Sequence, residues 1–363
     1  MLPSVRRAVP LGALLTLALL GSACGSSSSS SSGDSSPSGS AVAGLTELKG
    51  TLAGSGSSFQ APFDEKIIES LGEAAPDLTV TYDAKGSGTG KQELADQKVQ
   101  FAGTDSTVKD EEKAKMKGGA FLYFPTVAAP ITVSYLVSGL PKLQLSPVTV
   151  AKIFQGEVKS WNAEEIKADN PGVSLPSGDI KVVRRADSSG TTETFTKYLK
   201  AADHEGWKLT AASTVEWPSS FVSAPQNGGV AKAIKDTDGA IGYVDFADAK
   251  TAGLSFSLIK NKAGTFSEPT LPSTEAALQA ATVNPDLTYS ALNTAAPDAY
   301  PIVASTYILA YEKNPGGDTA KNLKGFLTYI LTEGQAQAAG VNFAKLPEAL
   351  RAKAQDQVAK ITG

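Results

Sequence analysis

Arg184 and Arg185 end the apolar run Ile180 to Val183, and Asp187, Ser188, Ser189, Gly190, Thr191 and Thr192 follow at once. A guanidinium presents its N–H donors as a planar fork, matched to two oxygens of one oxyanion. Beyond this stretch Phe195, Tyr198, Leu199 and Ala202 recur at i, i+3, i+4 and i+7, the spacing of an amphipathic helix. The polar residues therefore fall at a helix N-terminus, where unpaired N–H groups and the positive end of the macrodipole favour an anion. Gly190 lets the backbone approach a ligand, and Ser189 and Thr191 add hydroxyl donors. An ordinary capped helix, with Asp187 or Ser188 as N-cap, would use the same residues. The rest of the chain decides between the two.

Three earlier loops repeat the design of strand, small polar residues, then helix. Gly50 to Pro62 reads as a strand entering a Gly/Ser turn, and a helix follows with Phe63, Ile67, Ile68 and Leu71 on one face. Leu78 to Tyr82 is a strand, Gly86 to Gly90 a loop containing Ser87, and Lys91 to Asp96 the start of a helix. Val99 to Ala102 leads to Gly103, Thr104, Asp105 and Ser106, then to a charged helix near Lys109 to Lys115. Strands alternating with helices predict an α/β architecture with a largely parallel sheet, its loops collecting at one crevice. Asp105 is an acceptor among donors, and helix capping is its commonest use. Gly86 to Lys91 is no nucleotide P-loop, since Gln92 stands where a Ser or Thr should ligate magnesium, and Gly54-Ser55-Gly56 lacks the third glycine of a dinucleotide fingerprint.

Phe121 to Val137 is a long apolar run broken by Pro125 and Pro130, a strand that crosses between two lobes. Val148 to Phe154, Trp161 to Lys167 and Val230 to Ile234 read as short helices. Ala240 to Val244 is a buried strand whose Gly242 implies close packing. Asn261 to Pro301 has no assignable pattern. Ile302 to Tyr311 is a strand, Leu323 to Leu331 a clear amphipathic helix, and Pro347 to Val358 the last helix.

Arg6, Arg7 and the apolar Leu11 to Leu20 mark residues 1–23 as a secretory signal, too short to span a bilayer. Cys24, the chain's single cysteine, resembles the acylated first residue of a bacterial lipoprotein, although Leu20 lies four residues before it instead of three. Residues 24–49 carry that cysteine and a Ser/Gly-rich tether. Of 33 basic side chains two lie in the signal, leaving 31 against 37 acidic ones. A mildly acidic chain without basic runs excludes nucleic acid as a natural partner. His204, the lone histidine, sits at the polar end of a helix and reads as a surface residue.

Gly54 to Pro62, Gly86 to Leu94, Phe101 to Asp105, Arg184 to Leu199 with its Arg-Arg-Ala-Asp-x-Ser-Gly-Thr core, and Gly239 to Phe246 resemble the phosphate-binding protein of bacterial phosphate ABC importers, in that family's order and spacing. The resemblance implies a type II periplasmic-binding-protein fold, two-lobed like a Venus flytrap, with a hinge of two crossing strands. It implies one lobe of residues 50–127 plus 302–363 and a second of 128–301. By position it assigns phosphate contacts to Ser58, Phe59, Ser87, Asp105, Arg185, Ser189, Gly190 and Thr191, with Asp187 orienting Arg185. No catalytic residue, metal or cofactor is implied. The expected chain is an exported monomer, lipid-anchored at the outer face of the cell membrane, that delivers phosphate to permease subunits. Ser58, Gln60 and Ser188 depart from the family's frequent threonine, proline and glycine. The alternatives are a binding protein for another oxyanion, sulfate or molybdate, and a phosphatase-like enzyme. No Gly-x-Ser-x-Gly elbow or His/Asp cluster supports the latter.

Overall fold

The computed structural model describes residues 44–140 and 142–363, so the signal, Cys24 and most of the tether lie outside it. Packing begins before Gly50, where the sequence reading ends the tether. Leu45–Glu47 forms a 3-10 turn, and Leu45 and Leu48 are buried because they are the apolar residues of a polar stretch.

The chain opens with strand β1 (Gly50–Gly56), helix α1 (Ala61–Ala74), β2 (Leu78–Asp83), α2 (Ser87–Ala95), β3 (Phe101–Thr104) and the single turn α3 (Asp110–Lys113). The long strand β4 (Phe121–Leu136) follows, then β5 (Leu143–Leu145), α4 (Pro147–Phe154) and α5 (Glu164–Asp169). Next come β6 (Lys181–Arg185), α6 (Gly190–Ala202), β7 (Val222–Ala224), α7 (Gln226–Lys235), β8 (Ala240–Asp245) and α8 (Phe246–Thr251). β9 (Ser255–Lys260) precedes the unassigned polar stretch, which holds β10 (Phe266–Ser267), α9 (Leu271–Gln279), β11 (Thr282–Val283) and β12 (Tyr289–Ser290). Its helix is signalled locally by Thr270, which accepts from Ser273 N–H as N-cap. The chain closes with β13 (Val303–Tyr311), α10 (Asp318–Leu331), α11 (Glu333–Gln337) and α12 (Glu348–Val358).

The strand order β2-β1-β3-β13-β4-β8-β6-β7 corrects the largely parallel expectation. The β1–β2, β1–β3, β6–β7 and β6–β8 pairs are parallel, because helices connect the consecutive strands. In the middle of the sheet β13 runs antiparallel to both β3 and β4, and β4 antiparallel to β8. The reversal comes where β13 and β4 lie side by side in opposite directions between β3 and β8.

β4 changes partner within itself: Pro130 lies opposite Val303 of β13, and Ile131 opposite Asp245 of β8. A proline cannot donate to a ladder, so the switch point suits it. Pro125 lies opposite Tyr307, beside the register shift between Ser305 and Tyr307. There the Thr126 and Thr306 hydroxyls bond at 2.7 Å, and Thr306 donates to Val127 O at 2.8 Å. Two buried hydroxyls thus replace ladder bonds that the irregularity removes.

Both strand sets are buried by helices. α10 turns Leu323, Phe326, Leu327, Ile330 and Leu331 inward, and α6 does the same with Phe195, Tyr198 and Leu199. Phe195 stacks on Tyr243 of β8 at 4.6 Å between ring centroids, which fixes α6 against the strand beside β6. Gly242 makes room for α7 on the opposite face: a Cβ there would lie 2.8 Å from Ile234 Cδ1 and 2.9 Å from Val183 O.

Candidate anion-binding site

The ends of β1, β3 and β6 and the starts of α2, α6 and α7 converge. Arg185, the last residue of β6, is 3% exposed. Its backbone N–H donates to Tyr243 Oη at 3.2 Å, and Tyr243 Oη also bonds Thr192 Oγ1 at 2.7 Å. One tyrosine therefore ties the strand end to the first turn of α6. The guanidinium pairs edge to edge with Asp187, with Nε 2.9 Å from Oδ1 and Nη2 on Oδ2. Nη1 remains for other acceptors and reaches Thr191 Oγ1 at 3.4 Å.

Helix α6 is capped by Ser189, neither of the two residues the sequence suggested. Its side chain accepts from Thr192 N–H at 3.1 Å, while the hydroxyl proton stays available. Ser188 has no left-handed backbone, so serine needs no strain where the resembled family often has glycine. At Gly190 the helix backbone closely approaches side chains of two other loops. A Cβ there would lie 2.5 Å from Ser87 Oγ and 2.8 Å from Asp105 Oδ2.

Across from Arg185, Asp105 is 4% exposed and faces hydroxyls. Ser57 donates to its Oδ1, while Thr191 and Ser87 lie 3.3 Å and 3.5 Å from Oδ2. Burial pushes the Asp105 carboxyl up to about 6, partly offset by Ser57, the Arg185 charge, Thr191 and Ser87. Asp187 goes the other way. Burial acts to raise it, but the Arg185 hydrogen bonds and charge and the Gln226 N–H hold it below the usual carboxylate range.

The loop after β1 contains one residue the sequence reading missed. Ser57 accepts from Phe59 N–H at 3.0 Å and from Gln60 N–H at 3.4 Å besides donating to Asp105. Phe59 N–H, expected to face a ligand, thus shares itself with a neighbouring hydroxyl. The Phe59 ring is buried edge-on to Phe343 at 6.0 Å, which anchors this backbone. Gly86 to Gly90, expected as a loop, is mostly the first turn of α2, since Ser87 already begins the helix. Gly88 packs so closely that a Cβ would lie 2.1 Å from Ser188 Oγ. Lys91 is buried but paired with Glu112 at 2.8 Å, so its charge is spent outside the cluster.

Asn227 is the second missed residue. It lies in the first turn of α7, is fully buried, and its side-chain amide oxygen fits the donors Phe59 N–H, Ser58 Oγ, Thr191 Oγ1 and Arg185 Nη1 at 3.1–3.3 Å. Gln226 beside it, at φ 59°, donates its N–H to Asp187 Oδ1 at 3.0 Å and its side chain to Ala84 O. Further links join the early loops to the central motif: Gly88 N–H to Ser188 O at 3.1 Å, and Thr194 Oγ1 to Asp105 O at 3.1 Å. All eight expected contact residues and Asp187 fall in this one cluster. On the other side of Asp105 a polar cavity of about 550 Å³ is lined by Thr194, Lys197, Asn284, Tyr289 and Ser305. His204 is exposed, just past the far end of α6 from this cluster.

The arrangement is one fixed cation, a helix N-terminus, a ring of hydroxyls and one acceptor carboxylate. Such a set suits a small oxyanion that still carries a proton.

Comparison with known proteins agrees with this chemistry. The PBP superfamily domain matches residues 41–333. The phosphate-binding protein PstS 3 of Mycobacterium leprae is 32% identical over 317 residues, covering 84% of this chain and 85% of its own. The phosphate-binding protein PstS of Methanocaldococcus jannaschii is 34% identical over 295 residues, 75% and 76% of the two chains. A phosphate-binding protein from Stenotrophomonas maltophilia shares the fold with a TM-score of 0.68 at 23% identity, over 85% of this chain and 94% of that one. The architecture is accordingly the two-lobed type II fold of periplasmic binding proteins. With the matched domain and these relatives, the chain belongs to the PstS phosphate-binding proteins of the PBP superfamily.

Proposed function

We propose that the protein captures inorganic phosphate between its lobes and hands it to the permease of a phosphate ABC importer. Ser58, Phe59 N–H, Ser87, Arg185, Ser189, Gly190 N–H and Thr191 donate to the anion, Asp105 accepts from it, and Asp187 holds Arg185 in register. The carrying observation is the pair of carboxylates: Asp187 clamps the buried Arg185 guanidinium, and Asp105 is left facing hydroxyls. Phosphate retains a proton at neutral pH and can donate it to Asp105, whereas sulfate would meet an unpaired carboxylate. Rejection follows from that unfavourable contact.

In this reading residues 50–127 with 302–363 form one lobe and 128–301 the other. β4 and β13 serve as the hinge, which fits the partner change at Pro130. Closure completes the donor set, so ligand binding favours the closed form by its added contacts there. The protein binds and releases without turnover, as a monomer exported and held at the membrane through an acylated Cys24. Calorimetric titration of the ligand-stripped protein with phosphate tests the reading. Tight one-to-one binding that Arg185→Ala removes is expected. Absence of binding in the folded wild type would overturn it.

A further inference from the structure

Arg185, Asp105, Ser87 and Ser189 are buried, so an anion held among them can leave only when the elements around the pocket part. Whatever holds those elements together therefore sets how long the anion stays. The first turn of α7 supplies such connections. The backbone N–H of Asn227 donates to Ser58 Oγ at 3.2 Å, and the Gln226 side chain donates through Nε2 to Ala84 O. On the proposed division Ser58 and Ala84, in the loops after β1 and β2, belong to one lobe and α7 to the other. Ala84 O is a carbonyl and can only accept, which fixes the Gln226 amide with its nitrogen towards it.

Gln226 is exposed while Asn227 is buried, and its φ of 59° falls in the left-handed region that a long side chain seldom adopts. Such a conformation persists where the surroundings over-determine it, and here the contacts that do so are identifiable. Gln226 N–H meets Asp187 Oδ1 at 3.0 Å while the side chain runs to Ala84 O. One residue thus grips both the carboxylate that holds the Arg185 guanidinium and the loop opposite. In that loop Gly86 lies so close to the clamp that a Cβ would strike Asp187 Oδ2. The loop after β2 therefore rests on the same Asp187 that Gln226 grips.

We propose that Gln226 is a latch, a positioning residue that ties the loop after β2 to the Arg185–Asp187 clamp and slows the release of phosphate. Its side chain bonds none of the groups assigned to the anion, and its bond to Ala84 O joins the two lobes only while they are together. Losing that bond speeds opening and leaves capture unchanged. This rests on the phosphate reading and its lobes, which wild-type calorimetry tests separately.

The discriminating variant is Gln226→Gly. Glycine takes a φ of 59° freely and keeps the N–H on Asp187, so only the side-chain bond is lost. Release of radiolabelled phosphate from loaded protein into excess unlabelled phosphate reads the dissociation rate. Equilibrium dialysis reads the affinity, and the two together give the association rate. Gln226→Gly should release phosphate about three- to tenfold faster, the effect of one hydrogen bond, with an association rate within about twofold of wild type. Gln226→Glu loses the donor and brings a negative charge beside Asp187, so it should release phosphate faster than Gln226→Gly. If wild type binds phosphate, release from Gln226→Gly at the wild-type rate would overturn the latch alone. So would an affinity loss carried by the association rate, or release from Gln226→Glu no faster than from wild type.

Discussion

Asp187 and Asp105 stand on loops from the two strand sets and meet at one pocket, yet burial leaves them in opposite condition. Asp187 spans the Arg185 fork and receives Gln226 N–H, and these partners hold it below its ordinary range. Asp105 faces hydroxyls, with the cation contributing only through its field, and burial carries it up to about 6. The difference lies in direct contact with the guanidinium. A carboxylate paired edge to edge with it holds the guanidinium rigid, while one surrounded by hydroxyls can still exchange a proton with whatever sits before it. On the proposed function, position relative to Arg185 gives one aspartate the scaffold role and the other the selective one.

Breaking the scaffold side should have the largest effect. Arg185→Ala should cost roughly 3–5 kcal/mol of phosphate binding by calorimetry, the range for truncating a buried charged partner. Asp187→Asn keeps the guanidinium but loosens its orientation, with an expected loss of about 1.5–3 kcal/mol. Gly190→Ala sharpens the geometry of the comparison, because its methyl would strike Ser87 and Asp105. About 1–3 kcal/mol of affinity should disappear while far-UV circular dichroism is unchanged, since alanine suits a helix start.

A smaller effect is expected beneath the selectivity side. Asp64 is fully buried, bonded by Gln60 Nε2 at 2.8 Å, and burial first of all raises its carboxyl to about 8. A carboxyl raised in the folded state contributes stability that is complete below its unfolded pKa and lost as pH rises through the folded one. Wild-type stability should therefore fall across the window from about 4 to about 8. Asp64→Asn, which does not titrate, should gain on wild type by roughly 1–3 kcal/mol near pH 9 and show little difference near pH 4, read by denaturant melts.

The sequence disclosed the scaffold side more fully than the selectivity side. Arg185, Asp187 and the N-terminus of α6 lie in one contiguous motif where strand end, charge and helical periodicity coincide. Asp105 was readable only as an acceptor out of place. Ser57 was hidden because the run Gly54 to Ser58 alternates glycine and serine, and nothing local shows which hydroxyl turns towards a carboxylate 48 residues away. Asn227 was hidden for another reason. Pro225, Gln226, Asn227, Gly228 and Gly229 read as a turn, and the apolar pattern of α7 starts only at Val230. Its helix begins at Gln226 because packing on β6 and β8 overrides the low propensity of two glycines. The mixed sheet likewise could not be read from strand–helix alternation, since strand direction depends on where a returning strand docks.

The claim that Asp105 selects an oxyanion by its proton is tested most directly by titrating wild type and Asp105→Asn with sulfate as well as phosphate. The account predicts no measurable sulfate binding to wild type. It predicts that Asp105→Asn keeps phosphate within about tenfold and gains sulfate, because an amide can accept or donate. Sulfate binding by wild type, or continued exclusion of sulfate by a phosphate-binding Asp105→Asn, would contradict it.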